Sequence, residues 1–389
     1  MRFRVIVFFT MLLALSCKEP FSPPNTSTNS HYLVIEGVIS VNDSTFIRLS
    51  RTKNVDTLRT IIPENNAQVT IESDANNSYP LTQIGSGIYA APPLNLDISQ
   101  KYRLRIRTAD SKEYLSDFVP VKNSPPIDSV GYSAQSPGVQ LYVNTHDGTN
   151  ATRYYRWEYT EDWQFHSMYA SAYYSNGVDS ILARTTQQQV YNCYGNDVSG
   201  NVLIASTSKL VNDQVYRAPL TFIPATSEKI EKKYTILVRQ YALTSDAYDF
   251  WNNLKNNTEK LGSIFDALPS ELESNYHCVT NPNELVVGYL SVGNVASRRI
   301  YITKDELLPG YGPEYPVACE LDTAYENPQR QGQRTIGILI PSTSPYMPVS
   351  GLFIPPDNPF GGPNAFSYST KICVDCTLRG RTTPPSYWK

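Results

Sequence analysis

The chain has 389 residues, 41% apolar and 18% charged, enough to bury a sizeable core and too apolar for global disorder. Residues 1–16 carry Arg2 and Arg4 and no acids, so their removal takes the formal charge from −3 to −5; with no basic block, this argues against a nucleic-acid partner. Four histidines, no two at metal-ligand spacing, give no reason to expect a metal, and 28 Tyr with 28 Pro point to β architecture with Pro-rich loops.

Taken in chain order, the first stretch is an export signal. Arg2 and Arg4 precede the apolar run Val5 to Leu15, which is too short for a bilayer span of about 20 residues. Leu13-Ala14-Leu15-Ser16-Cys17 then resembles a bacterial lipobox, with Ala14 where a Leu is usual. The expectation is a signal peptide over 1–16 and lipidation at Cys17; the alternative is an ordinary secretory signal with a chance Cys. Lys18-Glu19 resembles a short surface-export signal of Bacteroidota lipoproteins. Residues 17–30 read as the lipidated Cys and a Pro/Ser/Asn/Thr-rich tether.

Residues 31–120 read as six or seven short strands, an immunoglobulin-like β-sandwich without an inter-sheet disulfide. Arg103, Arg105 and Arg107 alternate with Tyr102, Leu104 and Ile106; a solvated sheet face is the expectation, an anion-binding face the alternative. Residues 121–128 form a stiff Pro-rich linker, the best domain boundary.

Residues 129–389 read as a larger β-rich domain. Tyr155, Trp157 and Tyr159 share one strand face: a stacking platform for a sugar or peptide, or the inner face of a sandwich. The strand Tyr234 to Leu243 runs into an inserted amphipathic helix at about 244–258, capped by Thr244 or Ser245. Its stripe Ala247, Trp251 and Leu254 predicts Trp251 buried against the second domain, with Tyr248 and Leu254 beside it. From Pro309 the chain reads as loop-rich. Its cysteines, Cys193, Cys278, Cys319, Cys373 and Cys376, are disulfide candidates for an exported protein, and an odd count leaves one over. Cys373 or Cys376 is expected to bond to Cys193, Cys278 or Cys319, because CxxC redox chemistry would need a thioredoxin-like context that this Pro/Gly-rich tail lacks.

No G-x-S-x-G, H-E-x-x-H, P-loop or G-x-G-x-x-G occurs, so no catalytic residue is assigned and a non-enzyme without cofactor is expected. Several stretches together resemble one family: Leu33-Val34-Ile35-Glu36-Gly37, Pro125-Pro126-Ile127-Asp128-Ser129, Arg153-Tyr154-Tyr155-Arg156-Trp157 and Val238-Arg239-Gln240-Tyr241. So do Ala247-Tyr248-Asp249-Phe250-Trp251, Ile264-Phe265-Asp266-Ala267-Leu268-Pro269-Ser270, Asn281-Pro282-Asn283-Glu284, Val286-Val287-Gly288-Tyr289 and Cys373-Val374-Asp375-Cys376. With Cys17 they resemble the Bacteroidota lipoprotein family catalogued as domain of unknown function 4249, over essentially the whole mature chain. The resemblance implies a lipid-anchored, surface-exposed outer-membrane protein, encoded beside TonB-dependent transporters and acting as accessory or ligand-binding partner. It carries no ligand or catalytic residues. The alternatives are a structural adhesion or assembly module, and a β-sandwich hydrolase.

Overall fold

The computed structural model describes residues 31–52, 61–259, 272–315, 319–327, 332–354 and 363–388. Cys17, the signal and tether, and the 264–270 stretch lie outside them. The fold is mainly β, with one long helix among the described residues.

The first module grows from the hairpin of Leu33–Ser40 and Thr45–Arg51, whose alternation puts Leu33, Ile35, Ile47 and Leu49 inside and Phe46 and Arg48 outside. The sheet continues through Ile88–Ala91, Ser78–Gly85, Gln68–Ser73, Lys101–Arg107 and Glu113–Ser116, curling almost closed around one core. Both remaining edges are taken by a segment from far along the chain. Tyr276–Cys278 pairs antiparallel with Glu113–Ser116, while Val286–Val287 and Ser291–Gly293 pair parallel with Leu33–Ser40. Sequence reading places 276–293 in the second domain. Pairing places it in the first, because open strand edges carry unpaired N–H and C=O groups that need a partner.

Residues of the recognised motifs hold this return segment in place. Gly288 has φ +141°, and a Cβ there would lie 2.2 Å from the Ile35 carbonyl oxygen; Gly37, at φ +137°, faces the Phe46 carbonyl equally closely at 2.3 Å. Glu284 accepts hydrogen bonds from Tyr114 Oη and Lys112 Nζ, both at 2.6 Å, with Arg51 3.6 Å away; its side chain is 8% exposed. Burial opposes ionisation, but the bonds from Lys112 and Tyr114 outweigh it and hold the carboxyl below its ordinary value.

The second module is a sandwich. A three-stranded sheet of Ile127–Gln135, Gly138–His146 and Gln214–Pro224 packs on a five-stranded sheet. The latter runs Asn192–Val198, Tyr154–His166, Lys233–Ala242 and Ala296–Thr303, with Leu203–Ser206 also paired to Tyr154–His166. Val139, Leu141 and Val143 from one sheet share the core with Tyr155, Trp157, Ile236 and Val238 from the other. Trp157 Nε1 donates to Gln240 Oε1 at 2.9 Å, and Gln240 Nε2 donates to the Pro125 carbonyl at 2.8 Å. The linker is further clamped where Lys122 N donates to Val292 O at 2.8 Å and Ser124 N to Asn294 Oδ1 at 2.6 Å.

The helix, Ser245–Glu259, sits at the junction of the two modules. Thr244 caps it by accepting from Ala247 N at 3.2 Å. Its buried residues are Ala247 and Phe250, and Phe250 packs on Tyr289 of the return segment with ring centroids 5.4 Å apart. Trp251, Tyr248 and Leu254 are half-buried, a departure from the expected stripe. Trp251 lies under the Arg156 guanidinium, 3.9 Å from the ring centroid, because Arg156 leaves the outer face of its strand just where the helix crosses. Beyond Pro309, where loops are expected, Arg334–Thr335, Asp322–Tyr325, Ala365–Thr370 and Tyr346–Leu352 form a further four-stranded sheet.

Candidate functional site

The outer face of the five-stranded sheet is where the first module and the end of the C-terminal tail meet it around polar space. Residues at alternate positions of paired strands share that face: Glu158 opposite Arg239, Thr160 opposite Leu237, and Leu237 in turn opposite Arg299. One end is overhung by the first module. There a cleft of 340 Å³ opens between Gly37, Ser40, Asp43 and Phe46 of the first hairpin and Glu158, Arg239 and Tyr241 of the sheet. The other end is overhung by the C-terminal tail. There a cleft of 490 Å³ is lined by Asp162, Asp197, Leu237, Arg239, Arg299, Arg381 and Tyr387.

Most charges in these clefts are paired. Asp162 accepts from Tyr387 Oη at 2.5 Å and lies 4.0 Å from Arg299 and 3.8 Å from Arg381. Glu161, its neighbour on the opposite sheet face, is held by Lys229 Nζ at 2.6 Å and by the Tyr234 hydroxyl; Lys229 also reaches Asp197 at 3.1 Å. Glu158 pairs with Arg156 and accepts from Tyr241 Oη at 2.9 Å. Burial and then the Glu158 charge push the Tyr241 phenol up, so it stays a donor throughout the neutral range.

Arg239 is an exception. It lines both clefts, is half-buried, and makes no hydrogen bond or ion pair with any described residue. A guanidinium partly shielded from water is stabilised by a counter-charge; Glu158, the carboxylate opposite Arg239 in register, is already engaged by Arg156 and Tyr241. Sequence reading names it only within a family motif and gives it no role; the available signal is a lone cation in the middle of the apolar strand Tyr234-Thr235-Ile236-Leu237-Val238-Arg239-Gln240-Tyr241.

Tyr155, Trp157 and Tyr159 are 0%, 2% and 9% exposed and point into the sandwich core, so none offers a ring face to a ligand. Arg103 and Arg105 are matched by Glu72, and Arg105 also by Glu113, at 2.7–3.0 Å, as a solvated sheet face would have it. Cys193 bonds to Cys376 and Cys319 to Cys373, while Cys278 stays a buried thiol in the first module. The CxxC pair is thus two separate staples for the tail. A further pocket at His146–Asn150 is an internally satisfied turn: Asp147 accepts from Thr149 and Thr152, and Asp213 from Tyr155 and Thr207.

Comparison with solved structures gives only faint likenesses. A two-domain fibronectin type III segment of chicken tenascin is 11% identical, covering 54% of this chain and 90% of its own, with a TM-score of 0.16. Chitinase ChiA74 from Bacillus thuringiensis is 11% identical over 47% of this chain and 30% of its own, TM-score 0.16. A structure titled for manganese lipoxygenase of Gaeumannomyces graminis and zonadhesin of Komagataella pastoris is 10% identical over 57% and 91%, TM-score 0.18. Scores this low establish no shared fold. No curated protein matches the chain. A family model matches residues 18–299, which takes in the first module, the helix, Arg239 and the second module as far as the middle of its strand Ala296–Thr303, and leaves the tail with Cys319, Cys373 and Cys376 outside the matched region. The chain belongs to the family described as Domain of unknown function (DUF4249).

Proposed function

We propose that this protein is an exported, lipid-anchored outer-membrane protein that captures a ligand in the cleft between its modules, as a non-catalytic accessory of a TonB-dependent transporter. The observation that carries the ligand-capture part is Arg239, a half-buried cation without a hydrogen-bond or ion-pair partner among the described residues, at the meeting of two clefts roofed by different parts of the chain. Sites of this kind concentrate at module junctions, with few polar groups aimed into a concave space. Export is supported by two disulfides, which persist in oxidising compartments, together with the charged-then-apolar leader ending at Cys17. The transporter is inferred from the lipoproteins this sequence resembles. A binding rather than hydrolytic role fits the pairing of Glu161 and Asp162, which leave opposite sheet faces and are each held by cations and a tyrosine. Mild detergent extraction of membranes and affinity capture of the protein is the test. Co-purification of a TonB-dependent outer-membrane transporter at near-stoichiometric yield is expected; its absence from cross-linked and uncross-linked extracts alike would remove the transporter from the reading.

A further inference from the structure

The charges around Arg239 define what it would hold. On the adjacent strand Arg299 lies diagonal to it on the same face, since Arg299 is opposite Leu237 and Arg239 opposite Ser297. Asp162 is shared between Arg299 and Arg381, so two guanidiniums divide one carboxylate. Glu158, opposite Arg239, is engaged by Arg156 and Tyr241, so Arg239 makes no ion pair with any described residue. A multiply charged anion is disfavoured, because Glu158 and Asp162 flank the position and like charges repel at short range. A single carboxylate fits the deficit. At the mouth of the first cleft Asp43 is exposed and makes no ion pair among the described residues, and Phe46 beside it is 54% exposed. A cation without an ion pair, a carboxylate without one and an exposed apolar ring lining one cleft suit a ligand carrying a carboxylate at one end and an ammonium at the other.

We propose that the cleft takes short peptides, with the free C-terminal carboxylate on the Arg239 guanidinium. Arg offers a planar fork that matches a carboxylate with two hydrogen bonds, which an ammonium cannot reproduce. The proposal rests on reading the interdomain cleft as the ligand site, and is independent of anchoring and of the transporter.

The test uses the soluble mature chain from residue 18, a mixed tripeptide library with free C-termini, and the same library C-terminally amidated. Retained peptides are read by native mass spectrometry. Free-acid peptides should be retained by the unaltered protein, with at least tenfold lower retention of the amides. Arg239→Gln should lose at least tenfold of the free-acid retention, and Arg239→Lys should fall between, all three proteins unfolding at the same temperature. Retention of neither library, equal retention of both, or equal retention by Arg239→Gln would overturn the proposal. Should Arg239→Gln unfold early, Asp43→Asn at the exposed mouth replaces it: the stronger binding of peptides with a free N-terminus than of N-acetylated ones must disappear there, and an unchanged preference overturns the proposal. Loss of peptide binding with transporter capture intact would leave the accessory role standing and remove only the ligand.

Discussion

Glu284 and Arg239 sit in motifs of the same family, and their surroundings give them opposite roles. Glu284 is saturated by Tyr114 and Lys112 and fastens the return segment to the first module. Glu284→Ala should cost about 2–3 kcal/mol, the usual loss for a buried hydrogen-bonded charge, read as a lower chemical-unfolding midpoint. The folded-state carboxyl is held below its ordinary value of 4.5. Its contribution is therefore fully present above that value and is lost as pH falls through the lower folded-state value. Unaltered protein should lose more stability than Glu284→Gln between neutral pH and the acid side of 4.5; parallel losses would contradict the assignment. On the helix the order of sensitivities differs from the sequence expectation. Phe250→Ala should cost about 3–5 kcal/mol as a core truncation. Trp251→Ala should cost about 2 kcal/mol, mostly its contact with Arg156. Comparison of the two unfolding midpoints checks this, and a larger loss at Trp251 would restore the expected stripe.

Individual elements were legible where local pattern decides them. The hairpin at 33–51 alternates cleanly, and the helix begins at Ser245 with Thr244 as cap, within a residue of its expected start. Two things were not. Val286 and Val287 read as strand from their own composition, but their partner is Leu33 and Val34, and nothing local encodes a pairing across some 250 residues. Strands as short as Asp322–Tyr325, separated by Pro and Gly, lie below what alternation can reveal. The candidate site was hidden for the same reason: Arg239 reads as a polar position in a strand until the first module and the tail close over that face. The return segment carries a direct prediction. Residues 31–125 expressed alone leave both edges of the curled sheet open and should aggregate. The same residues joined to 272–294 through a Gly/Ser linker should give a cooperative unfolding transition. Cooperative unfolding of the shorter piece would show that the return strands are dispensable.

At the scale of the whole molecule, a curled sheet and a sandwich share one helix and one returning segment, and the tail is stapled to the sandwich. Cys319–Cys373 closes a separation of 54 residues, for which the chain-entropy estimate is about 4 kcal/mol. Cys319→Ala with Cys373→Ala should lower the thermal midpoint by several degrees while leaving the first module intact by hydrogen exchange; protection lost across 31–120 would mean that the modules unfold as one. Stapling also matters for the cleft, since Tyr387 and Arg381 form its wall and lie a few residues beyond the second staple at Cys376. The proposed role beside a transporter requires that the protein be held at the membrane, and in this account Cys17 is the anchor. The most direct measurement is mass spectrometry of the N-terminal peptide of the protein purified from cell membranes. The account predicts a chain that begins at Cys17 and carries diacylglycerol on its sulfur. A chain that begins elsewhere with an unmodified Cys17, or that retains residues 1–16, would contradict it.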